Sequence, residues 1–147
     1  MTKRRPGGIT ELTKASAERL TDAKSLIGAR RYRGAVYIAG YAVECILKTK
    51  LMQRFNCRNL DELDDKLRKR RQIGEDRSLF THELILLVTL LDCIDRIQAD
   101  RRIRKYFSHV SQWTPHWRYT AEPINAEKAT DFIQAVAGLV QWISASV

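Results

Sequence analysis

Residues 32–55 read YRGAVYIAGYAVECILKTKLMQRF. Tyr37, Tyr41, Glu44 and Lys48 stand four, three and four residues apart, so they share one line of a 3.6-residue helix. Ala35, Val36, Ala39, Ala42, Val43, Ile46 and Leu47 cover the other side. A helix apolar almost all round is a central helix, with neighbours on several faces. Its polar line then reads as a seam inside a bundle, with Glu44 in need of partners. Glu44 and Lys48 form an i,i+4 pair in the favoured order.

Working outward, residues 1–8, MTKRRPGG, read as a flexible basic tail, leaving 9–147 as one helical domain. Thr10 is placed to cap a first helix running to about Ala29, with Leu12, Leu20, Ala23 and Ile27 on its buried face. The turn through Arg30–Arg33 is short, so this helix and the central one should pack antiparallel. After Phe55, Asn59 caps a short helix with acid in its first turn and base, Lys66–Arg71, in its last, stopped by Gly74. Its few apolar residues mark it as a peripheral excursion. Thr81 opens a third main helix, THELILLVTLLDCIDRIQ. Leu84, Leu87, Val88, Leu91 and Ile94 form one face, widened by Ile85, Leu86 and Leu90. Asp100 caps another short helix with Ile103, Tyr106, Phe107 and Val110 inward. An aromatic loop follows, and Asn125 caps the last helix, where Ala129, Phe132, Ile133, Val136, Val140 and Ile143 recur at helical spacing. No strand-type alternation appears. The expected fold is all-α, four main helices with one or two short ones.

The chain has 147 residues and a net charge of +9, from 26 Lys and Arg against 17 Asp and Glu. That balance favours an anionic partner. The cations cluster at Lys3–Arg5, at Arg30–Arg33, at Lys66–Arg71 and at Arg101–Lys105. Cys45, Cys57 and Cys93 form no C-x-x-C pair and fit a reducing compartment. No apolar run approaches a membrane span, and the basic N-terminus lacks a signal peptide's apolar segment, so a cytoplasmic location is expected. His82, His109 and His116 lack metal-ligand spacing, and no phosphate-loop or nucleophile-elbow motif is present, so neither metal nor cofactor is expected.

Metal-free RNA cleavage needs an acid or base for the 2′-hydroxyl and leaving oxygen, and a cation for the phosphate. RRIRKYFSH, residues 101–109, supplies both. Arg104 and His109 are five apart, about 140° round a helix, whereas Arg102 and His109, seven apart, share a face. Lys105 and His109 share one at i,i+4. An Arg104/His109 site therefore requires a helix break or a second subunit. The plainer reading is a basic amphipathic helix. In the loop, Trp113 and Trp117 either clamp the bundle end or stack bases, with Arg118 on a phosphate. Arg118 and Tyr119 are also the favoured mates for Glu44.

These pieces together resemble the bacterial HEPN-domain proteins: Ala39-Gly40-Tyr41-Ala42-Val43-Glu44-Cys45 with Leu47-Lys48, then T-H-E-L, then W-x-x-x-W-R-Y before the final helix. The resemblance runs from about Tyr32 to Ile143. It implies an antiparallel four-to-five-helix up-and-down bundle, usually a homodimer. It also implies an RNA- or nucleotide-directed role in toxin–antitoxin or defence systems, often beside a nucleotidyltransferase-type antitoxin. Active members are metal-independent ribonucleases with an Arg, four to six residues, then His. Arg102 and Arg104 with His109 match that pattern as catalytic residues; Lys105, Trp117, Arg118 and Tyr119, read from the residues themselves, are the candidate RNA- or nucleotide-binding positions. Trp117-Arg118-Tyr119 stands where the motif usually lies, a version found in members not known to cut RNA. A non-catalytic homodimeric module that docks a partner protein or nucleic acid is thus the alternative. A DNA-binding regulator would need a helix-turn-helix signature that the chain lacks.

Overall fold

A computed structural model describes residues 7–74 and 82–147. The Lys3–Arg5 cluster and the expected helix start at Thr81 lie outside them. Helices α1 (Ile9–Gly28), α2 (Tyr32–Arg54), α3 (Leu60–Lys69), α4 (Leu84–Leu90), α5 (Ile94–Ala99), α6 (Arg101–Val110) and α7 (Ala126–Ser146) follow in order, with a 3₁₀ turn at Pro115–Tyr119 before α7. No strand occurs among the described residues, so the fold is all-α.

α2 is the central helix, and α1, α3, α4, α7 and the 3₁₀ turn all pack against it. Every residue assigned to its apolar side is buried. Helix directions follow from which residues meet. Ser16 Oγ donates to the Ala42 carbonyl at 2.7 Å, and Leu26 faces Gly34, so α1 and α2 are antiparallel. Lys50 reaches the Ser144 carbonyl while Arg33 reaches that of Glu122, so α7 runs with α2. His109 meets Phe132 and Tyr106 meets Gly138, so α6 opposes α7. His82 sits at Glu44 and Leu91 at Arg54, so α4 also runs with α2. The strict up-and-down alternation is therefore broken between α2 and α4.

Three caps form as the side-chain chemistry dictates. Asn59 accepts from the Glu62 amide at 2.9 Å, Asp100 from those of Arg102 and Ile103, and Asn125 from that of Lys128 at 2.8 Å. The fourth expectation fails: Gly8, not Thr10, is the N-cap of α1, and Thr10 lies inside the helix. α3 is less peripheral than its composition suggests, since Leu63 and Leu67, one turn apart, are both fully buried. It ends at Lys69, with Arg71 rather than Gly74 turning the chain. The expected third main helix is two helices, interrupted at Leu91–Cys93, and Ile85 is 53% exposed rather than core.

The four turns share one cause. Arg30, Asn56, Arg71 and Asp92 all have φ between 53 and 60°. The amide two residues past each C-cap returns to a carbonyl of the last turn, as in Cys93 to Val88 at 3.2 Å and Gln72 to Leu67 at 2.9 Å. That is the Schellman arrangement, with glycine absent from its left-handed position. Asn and Asp adopt it at less cost than arginine. Arg71→Gly should therefore raise stability by about 0.5–1 kcal/mol, a melting temperature about 2 °C higher, while Arg71→Ala should give no gain. Differential scanning calorimetry of the two variants checks this.

Candidate functional site

The polar line of α2 is a connected network. Glu44 and Lys48 are 7% and 5% exposed and pair at 3.4 Å. The second carboxylate oxygen of Glu44 meets His82 Nδ1 at 2.5 Å. One turn back, the Tyr37 and Tyr41 hydroxyls bond at 3.1 Å. Tyr41 lies edge-on to Tyr37, Trp113 and His82. Burial, then its bond to Tyr37, pushes the Tyr41 hydroxyl up to about 12. Burial likewise pushes the neighbouring Cys45 thiol up to about 11, which leaves it an unreactive thiol at neutral pH.

Glu44 is thus satisfied, but not by the expected mates. Arg118 lies against Tyr119 and Tyr37, whose hydrogen bonds raise its pKa. Tyr119 is 74% exposed. The partner that sequence reasoning missed is His82, 38 residues from Glu44. Tied through Nδ1, its imidazole leaves Nε2 for a shallow groove lined by Ile85, Ser111, Trp113, Thr114 and His116. In the same groove Ser111 donates its hydroxyl to the Ser108 carbonyl at 3.1 Å.

α6 builds a different surface. Asp100 fixes its start, and burial of Ile103, Phe107 and Val110 fixes its rotation. The opposite face is then compelled outward. Arg101, Arg104, Lys105, Ser108, His109 and Gln112 line an open groove of about 540 Å³, with no carboxylate among them. Arg104 and His109 therefore share one solvent-open cleft. They occupy its opposite flanks, because α6 is unbroken from Arg101 to Val110 and sets them about 140° apart. Arg104 also donates to the Gln98 carbonyl at 3.2 Å, and the His109 ring rests edge-on against Phe132 at 5.8 Å. Arg102 is not in the groove lining; it aligns with His109 from two turns away, about 10 Å along the axis.

The aromatic loop divides its roles. Trp113 is 5% exposed, presses on Gly40 and donates its indole N–H to the Tyr37 carbonyl at 2.9 Å, so it clamps the bundle. Trp117 is half-buried, with its ring tilted against Phe132 at 5.6 Å and the Arg33 guanidinium 5.8 Å from its centre. Most cations of the rival basic cluster on α3 already have partners. Arg68 pairs with Asp64 and Lys69 with Asp65, each at 2.9 Å; Lys66 reaches the Phe55 carbonyl, and Arg70 lies over the Phe55 ring.

Among the described residues no three His, Cys, Asp or Glu side chains group as metal ligands, and no helix is long and apolar enough to cross a membrane. No family model, curated protein or solved structure matches the chain.

Proposed function

We propose that this chain is a HEPN-like, RNA-directed protein of the toxin–antitoxin or defence kind, and that the outer face of α6 is its RNA-binding surface. The observation that carries the reading is the α6 groove: three cations and a histidine on one open face, with no carboxylate to repel phosphate. Lys105 and Arg104 contact phosphates, and Trp117 and Tyr119, on the exposed loop, are the stacking candidates. Metal-independent cleavage at this site would have the arginine stabilise charge on the phosphate while His109 moves the proton. Arg104 and His109 stand on opposite flanks of one helix, so the catalytic form of the proposal requires a homodimer, with Arg104 of one protomer acting beside His109 of the partner subunit. A nucleotidyltransferase-type antitoxin is the partner protein that this reading brings with it.

The flanking positions and the bond from Arg104 to the Gln98 carbonyl favour a second reading. In it the protein is a non-catalytic module that binds nucleic acid or a partner protein without cutting. The two separate cleanly. With a labelled single-stranded RNA in EDTA, the catalytic form predicts cleavage by the wild type that His109→Ala abolishes while binding stays within about threefold. Binding without cleavage selects the module. Under both, Arg104→Ala with Lys105→Ala should lower the slope of log K against log salt by about 1.4, at ~0.7 per lost phosphate contact on single strands. A wild type that shows no salt-dependent RNA binding ends the catalytic reading and the nucleic-acid form of the module, and leaves only a module that docks a partner protein.

A further inference from the structure

A second basic groove lies where the α1–α2 turn meets the chain entering α7. It consists of two adjoining hollows that share Arg33, Pro123 and Ile124: one is lined also by Arg30 and Arg31, the other by Lys128. Glu122 is its one carboxylate. Here Arg33 is held in place. Its Nε donates to the Glu122 carbonyl at 2.8 Å, and its guanidinium lies 5.8 Å from the Trp117 ring. A guanidinium so fixed keeps its terminal N–H groups for an anion, and loses less freedom on binding one than a loose side chain would.

The two grooves are linked. His109, at the lower end of the α6 groove, and Trp117, beside Arg33, both pack against Phe132, with ring centroids 5.8 and 5.6 Å away. Phe132 is thus the residue that both rings touch. Lys128 sits one turn before Phe132 on α7, on the same stripe of that helix. The order down this side of the molecule is therefore Arg101, Arg104 and Lys105, then His109 and Trp117, then Arg33, Lys128 and Arg31. Cations at both ends with half-buried rings between them match the pattern that holds an unpaired strand, with phosphates on the cations and a base on an aromatic face. A duplex has no base face to offer Trp117.

We propose that the α6 groove and the α1–α2/α7 groove form one continuous track for single-stranded RNA, with Trp117 stacking a base at its midpoint. This rests on the RNA-binding reading above and extends it to residues that the α6 site does not include. The test is fluorescence anisotropy with a labelled uridine dodecamer across a salt series, using wild type, Arg31→Gln/Lys128→Gln and Arg104→Ala/Lys105→Ala, with a duplex RNA of equal length as the second probe. Neither Arg31 nor Lys128 caps a helix with its side chain, so their glutamine variants should fold; circular dichroism confirms it. The track predicts that Arg31→Gln/Lys128→Gln lowers the salt slope by about 1.4, as much as the α6 pair does, and that the duplex binds at least tenfold more weakly than the single strand. If the wild type and the α6 pair behave as the proposed function requires but Arg31→Gln/Lys128→Gln leaves the slope unchanged, the track is wrong and the α6 site stands. Equal affinity for duplex and single strand overturns the stacking at Trp117. No binding by the wild type overturns track and function together.

Discussion

Glu44→Ala is expected to destabilise the protein by about 3–5 kcal/mol, a fall in melting temperature on the order of 10 °C. The cause is less the lost pair than what remains. Lys48 is 5% exposed, and without Glu44, 3.4 Å away, its ammonium is a buried charge that has lost its carboxylate. His82 loses its anchor at the same moment, and with it the tie between α2 and the residues that lead into α4. The mechanism makes a second demand that separates it from generic core damage. Replacing both charges with apolar groups of similar volume, Glu44→Leu with Lys48→Met, removes the buried charge and should restore most of the loss. Chemical denaturation of the single and double variants reads both. A double variant as unstable as Glu44→Ala would show that the network, rather than the orphaned ammonium, sets the cost.

Gly40→Ala should be the most damaging single-methyl change in the chain, at about 3 kcal/mol or more. A Cβ there would overlap the indole of Trp113, which is 5% exposed and fixed by its N–H bond to the Tyr37 carbonyl. The indole must leave its seat, and unseating a buried tryptophan costs about 3–5 kcal/mol, against ~1 kcal/mol gained from alanine's helix propensity. Gly138→Ala is the control. Its Cβ would overlap the ring of Tyr106, but that ring is half-buried and can swing toward solvent. It should cost at least about 2 kcal/mol less than Gly40→Ala. Equal losses would mean that Trp113 is not seated on Gly40.

These two positions also mark where sequence reading succeeds and stops. α2 was legible to within a residue of its end, because a helix apolar on nearly every face has one place in a bundle. The caps at Asn59, Asp100 and Asn125 were legible because a short polar side chain ahead of an apolar period has one local use. The interruption at Leu91–Cys93 was not. Its left-handed residue is Asp92, whose type permits that turn without announcing it, and Arg54 takes the Leu91 carbonyl from another helix. Burial of α3 was misread because composition counts apolar residues, whereas seating a helix needs only two of them on one stripe. The site divides in the same way. The outward face of α6 follows from the spacing of Ile103, Phe107 and Val110, so Lys105 could be placed beside His109 in advance, and Arg104 about 140° from it round the same helix. Glu44 could be marked as needing a partner, but its choice of His82 over Arg118 is a tertiary contact across 38 positions, beyond any local pattern.

Photo-crosslinking a 4-thiouridine-labelled single-stranded RNA to the protein, with mass-spectrometric mapping of the attached peptides, tests the central claim most directly. The face of α6 and the loop carrying Trp117 should hold the crosslinks, and excess unlabelled RNA or high salt should remove them. Crosslinks confined to α3, whose cations are already paired within their own helix or turned onto Phe55, would contradict the assignment of the RNA surface to α6.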